Sequence, residues 1–303
     1  MKKSLIGPLV GMVLVPMLGS AHAEPASFPR PPQKEISVEA QPWVRNCVAE
    51  PYLVADFICW KVQEDGLDHA QKGVGGTANP VTSKGKVYEP DFSFESGFRV
   101  GLGLNLAHDG WDLLLRYTWI NTHVIDTASV DPALERLEPL WTHASESLFL
   151  GGLQQARSDW DLHTSVLDFE WGRNYYISRF LTLRPFFGLK GFWLNQDYLL
   201  DYTGFLDPAR TTFGESKVHS GQDSWGFGIR FGTQTAWYFS HHWSVYSDLA
   251  LTAAWTKFDI ERRDRVLIAA TNTDAEVVHL DYDRYAMTPI MELGIGLRWG
   301  NVV

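Results

Sequence analysis

Near the C-terminus, Met291, Leu293, Ile295, Leu297 and Trp299 alternate with Glu292, Gly294, Gly296 and Arg298. Successive side chains of an extended strand point to opposite faces. One face is therefore wholly apolar and ends in an indole, while the other mixes glycine with charge. A half-buried sheet in a soluble protein accommodates one such strand. Here the pattern recurs along the chain behind an export signal. The expected fold is all-β: a transmembrane antiparallel β-barrel of about eight strands, with lipid outside, water inside and four long external loops.

The export signal occupies residues 1–23. Lys2 and Lys3 precede an apolar run from Leu5 to Leu18, broken by Pro8 and Pro16, and Ala21-His22-Ala23 supplies a small-x-small cleavage site. That run is too short for a membrane helix, which needs ~20 apolar residues, and no later run approaches that length. Cleavage removes two of the 26 basic residues, leaving 24 against 36 acidic ones, a net charge of −12. Such an acidic chain is not built for nucleic acid, whose phosphates require clustered Lys and Arg. Thirteen tryptophans are many for a soluble domain but expected of a barrel with interfacial belts.

Residues 24–50 hold Pro25, Pro29, Pro31, Pro32 and Pro42 without periodicity, and read as an extended periplasmic lead-in to a barrel over 51–303. Amphipathic strands are expected at about 52–64, 94–107, 111–123, 160–176, 180–196, 223–239, 242–258 and 285–299. Three connections are tight: His108-Asp109-Gly110, Ile177-Ser178-Arg179 and Ser240-His241. The other four, 65–93, 124–159, 197–222 and 259–284, are long. Short turns on one side and long loops on the other are the outer-membrane pattern, with both termini periplasmic.

Strand parity sends Asp56, Arg99, Arg116, Asp168, Glu170, Arg184, Lys190, Arg230, Asp248, Glu292 and Arg298 inward. A lipid-facing Arg or Lys costs ~2–4 kcal/mol near the midplane, whereas interior charges can pair. Six positive and five negative groups fit either an internal salt-bridge network or an aqueous path. Inward Gly101, Gly103, Gly226, Gly228, Gly294 and Gly296 would leave room for the path. An interior of ~8 strands is also narrow enough for side chains to fill. Both readings remain open at this level.

Other chemistry is sparse. Cys47 and Cys59 are separated by too much strand to meet within the ~7 Å that a disulfide allows. Cys47 is instead the residue through which a second chain would be bridged in the oxidising periplasm. The histidines, including the solvated pair His241-His242, show no ligand spacing, so neither metal nor cofactor is expected. Ser145 and Ser147 beside His143 and Glu146 are too local for a catalytic triad, and no enzymatic activity is expected. Asp131-Pro132, with Glu135 after it, is a helix-start signal within the 124–159 loop.

Several stretches carry a resemblance. Val54-Ala55-Asp56-Phe57-Ile58-Cys59-Trp60-Lys61-Val62-Gln63-Glu64-Asp65-Gly66-Leu67 is similar to the first-strand signature of Legionella-type major outer membrane proteins, a family also found in environmental chlamydiae. Asp109-Gly110-Trp111-Asp112-Leu113, Arg116-Tyr117-Thr118-Trp119, Gly172-Arg173-Asn174-Tyr175-Tyr176, Leu183 to Gly191 and Gly294 to Trp299 extend it from about Pro51 to Trp299. The resemblance implies a pore-forming, porin-like outer-membrane barrel for passive diffusion of small solutes or ions, with no catalytic residues. The rival function is a closed structural or adhesin-type barrel acting through its loops. This chain departs from cysteine-rich, cross-linked relatives, and it continues past its terminal aromatic with Gly300-Asn301-Val302-Val303.

The partners expected are outer-membrane lipids, further copies of the chain in a homo-oligomer, and the barrel-assembly machinery. The last would read the C-terminal signal Leu293, Ile295, Leu297 and Trp299.

Overall fold

The computed structural model describes residues 49–74, 85–131 except 108, 135–141, 152–205 except 179, 209, 211–240, 243–268 and 273–299. The signal, nearly all of the lead-in, Cys47, His241-His242 and the Ser145 cluster lie outside them. Twelve strands form one antiparallel sheet. They are β1 (Ala49–Lys61), β2 (Ala70–Val74), β3 (Val87–Tyr88), β4 (Phe94–Leu106), β5 (Trp111–Ser129), β6 (Glu135–Pro139), β7 (Gly152–Arg173), β8 (Tyr175–Ser178), β9 (Leu181–Phe205), β10 (Phe213–Tyr238), β11 (Trp243–Ile268) and β12 (Thr273–Trp299). The main path runs β1-β4-β5-β7-β9-β10-β11-β12. Among the described residues no ladder joins its two ends.

In the connection between β4 and β5, Asp109 and Gly110 have φ of 58° and 70°, the left-handed backbone that an Asp-Gly turn supplies. The long connections are a different matter. β5, β7, β9, β10, β11 and β12 run far past their expected upper ends, so most of the sequence between 197 and 222, and between 259 and 284, is paired strand rather than loop. The expected surface helix at Asp131 is also overturned: Glu135–Pro139 is strand β6, paired with β2. Its Leu137 is buried against Leu153. Sheet pairing has overridden a local capping signal.

Both faces of the wall change polarity at one height. On β9, outward Phe187, Leu189 and Trp193 are exposed, and above them the outward residues include Asn195, Asp197 and Asp201. Inward, Arg184 and Lys190 give way to buried Tyr198, Leu200 and Tyr202. β11 repeats this, from outward Leu249, Leu251 and Trp255 to Lys257, Asp259 and Glu261. Twelve residues separate Trp243 from Trp255, about 40 Å of strand and about 30 Å of height at a tilt near 40°. That matches an apolar band bounded by aromatic belts.

Above the band lies an ordinary hydrophobic core. Ile120, Val124, Trp160, Leu162, Tyr198, Leu200, Tyr202 and Val218 pack there with Leu67, Ala70 and Leu137 from the β2–β3–β6 unit. The sheet therefore has two storeys: apolar outside and charged inside below, and the reverse above.

Candidate functional site

The lower storey holds one interlocked set of charges. Arg116 projects from β5, Asp168 and Glu170 from β7, Arg184 and Lys190 from β9, Arg230 from β10 and Glu292 from β12. Antiparallel register brings them together, because Arg116 faces Asp168, Asp168 faces Lys190, and Arg230 and Glu170 both face Gly188. Glu170, wholly buried, accepts from Arg116 Nη2 and Arg184 Nη1 at 2.9 Å each, with Arg230 Nη2 at 3.5 Å. The Lys190 ammonium bridges Asp168 at 2.7 Å and Glu292 at 2.8 Å. Arg230 also pairs with Glu292 and approaches Asp168 at 3.5 Å.

Asp112 completes the set and was missing from the sequence reading. It is buried one residue above the β4–β5 turn and accepts from Arg184 Nε at 2.9 Å and Asn174 Nδ2 at 2.8 Å. Its parity, opposite to Trp111 and Leu113, was the available signal. Lying next to the turn disguised it as a turn residue.

The remaining expected residues stand apart from this cluster. Asp56 and Arg99 are cross-strand partners on β1 and β4, and Arg99 Nε donates to Thr118 Oγ1 at 3.3 Å. Arg298 places its guanidinium over the Tyr246 ring, 5.7 Å from the centroid. Asp248 faces Gly294 and Gln234 across its two neighbouring strands.

Most of the glycines expected to open a lumen are covered. A Cβ at Gly103, Gly226 or Gly296 would collide with the rings of Tyr52, Phe192 or Tyr246, and at Gly228 with the β11 backbone. A Cβ at Gly172 would stand 2.6 Å from Arg184 Nε. These glycines let aromatic and guanidinium groups lie flat on the wall, and the space they release is occupied.

One further cluster lies on the outer face. His123 Nδ1 is 2.7 Å from Asp161 and 3.6 Å from Asp159, with all three ligand atoms within 4.8 Å of one another. The residues are cross-strand neighbours on β5 and β7, so no linear spacing revealed them. Cys59 is exposed and free on β1.

A model of the family described as Legionella pneumophila major outer membrane protein precursor matches residues 53–303. Comparison with curated proteins and with solved structures finds no match.

Proposed function

The chain belongs to the Legionella major outer membrane protein family, and on that premise we propose that it is a non-enzymatic, porin-like outer-membrane barrel whose charge cluster forms the constriction of a narrow passage. The carrying observation is the cluster itself, eight ionisable side chains interlocked between the two aromatic belts. Stability alone does not call for it, since well-packed apolar residues replace buried ion pairs at little or no cost. A passage for hydrated solutes does call for charge, because separated pairs can be rewetted and apolar walls cannot.

In this reading the eight strands of the main path close into a barrel by pairing β1 with β12, whose directions are opposite. Unpaired N–H and C=O groups along either edge would each cost several kcal/mol in hydrocarbon.

A closed structural barrel is the second reading, and the burial of Glu170, Asp168, Lys190 and Arg230 favours it. Single-channel conductance of the refolded chain in a planar bilayer separates the two. Discrete steps are expected, with Arg184→Gln plus Lys190→Gln shifting the reversal potential in a salt gradient toward cation preference. Silence from protein shown to be folded removes the pore. Steps with an unmoved reversal potential remove the constriction.

A further inference from the structure

The upper storey contains a buried titratable group that the pore reading does not use. His69 precedes β2, is 0% exposed, and has no hydrogen-bond partner on either ring nitrogen. Its backbone, by contrast, is where the cap formed by β2, β3 and β6 is tied down. Its N–H donates to Tyr88 O at 3.0 Å, and its carbonyl accepts from Leu140 N at 3.2 Å and from the Tyr202 hydroxyl at 2.7 Å. Beside it, Tyr198 donates to Leu67 O at 2.5 Å and Trp141 Nε1 to Asp68 O at 2.8 Å. Apolar packing of Leu67, Ala70 and Leu137, and the Trp141 ring edge-on to Tyr198, join the cap to the wall as well. Among the described residues its ladder to β7 is the single pair Leu137 and Leu153, and Arg262 donates to Trp141 O at 2.7 Å.

We propose that His69 is a pH-sensitive latch: neutral, it seats the β2–β3–β6 cap inside the upper storey, and protonated, it releases the cap from the mouth. The charged groups around it are Asp68 beside it, Asp126 on β5 with Oδ2 3.6 Å from Nε2, and Arg262 and Asp264 on β11 near Tyr202. Tyr88, Tyr198 and Tyr202 complete the surroundings, with the Lys86 ammonium over the Tyr88 ring. Burial holds the imidazole below its ordinary value, and Asp126 and Asp68 oppose that without overcoming it.

The sign follows. A group whose seated pKa lies below its released value stabilises the seat fully above the released value of about 6.5. Below it, each pH unit weakens seating by up to tenfold, until the seated pKa is reached. The inference deepens the pore reading, because the cap occupies the outer end of the proposed passage.

The test is hydrogen exchange of the full chain refolded in lipid vesicles, from pH 8 to pH 5, corrected for intrinsic rates. Segments 67–74, 86–92 and 135–141 are compared with β10. Cap protection is expected to fall by up to about fivefold between pH 6.5 and 5.5 while β10 holds, and His69→Gln is expected to abolish the fall. An equal fall in that variant, no fall in the parent, or rising protection in acid overturns the latch. Should His69→Gln fail to seat the cap at any pH, Asp126→Asn decides. Loss of the opposing carboxylate leaves the fall at least as deep and carries it to lower pH if His69 is the group, and a shallower fall refutes it. Exchange needs no current, so failure of the latch and failure of the pore are read separately.

Discussion

Replacing Glu170 by Gln removes one negative charge from the centre of the cluster with almost no change in shape. Three guanidinium groups lose a shared partner: Arg116 and Arg184 at 2.9 Å, and Arg230 at 3.5 Å. Each keeps another carboxylate, Asp168 for Arg116 and Arg230 and Asp112 for Arg184. Loss of one partner from a buried pair costs about 3–5 kcal/mol, and these residual contacts place the variant near 3. With a urea slope of about 1–3 kcal/mol per molar, the unfolding midpoint should drop by at least about 1 M. Tryptophan fluorescence of protein refolded into vesicles reads this directly. The exposed Lys72 and Glu135 pair, at 2.8 Å, is the internal control. Glu135→Gln should cost no more than about 1 kcal/mol. If the two variants shift the midpoint equally, the cluster is not a desolvated network and the account of the interior fails.

Two further substitutions test the architecture. Ile229→Lys puts a charge on the outward apolar band, where the side chain is 65% exposed, and should cost about 2–4 kcal/mol. Asp197→Lys, above the belt, should change stability by less than about 1 kcal/mol; folded fractions in vesicles that do not separate the two would misplace the band. Gly226→Ala forces a Cβ into the Phe192 ring and should destabilise by about 1–3 kcal/mol. A neutral outcome in the same urea titration would mean the interior has room to spare.

The membrane half of this fold was legible because lipid imposes a rule on every strand at once. Between Trp243 and Trp255 every outward residue but Ser247 is apolar, so period-two alternation located all eight strands of the main path. The upper halves escaped because their alternation runs in the opposite phase. In β9, Asn195, Asp197 and Asp201 point out, while Tyr198, Leu200 and Tyr202 point in. A search for apolar-outward strands stops at Trp193 and takes the remainder for loop. Residues 135–139 misled for another reason: Asp131, Pro132 and Glu135 satisfy a helix start locally, and only the ladder to β2, far back in the chain, with the Leu137 and Leu153 pair, decides for strand.

The same two-storey logic explains how much of the site could be read. Inward parity identified every charged member of the cluster except Asp112, which carries the same signal but lies next to a turn, because a charge between the belts has nowhere else to go. Parity says nothing about whether those charges face water or one another. That depends on which strands lie side by side and on what covers the glycines, and both are properties of register. Arg184 reaches Asp112 across two intervening strand boundaries and lies flat on Gly172. His69 was invisible for the complementary reason. It sits in a segment without alternation, and its burial comes entirely from a core that the upper, reversed halves of the strands create. The charges that a pore needs were therefore written in the lower storey, while the group proposed to control access was fixed only by assembly of the upper one.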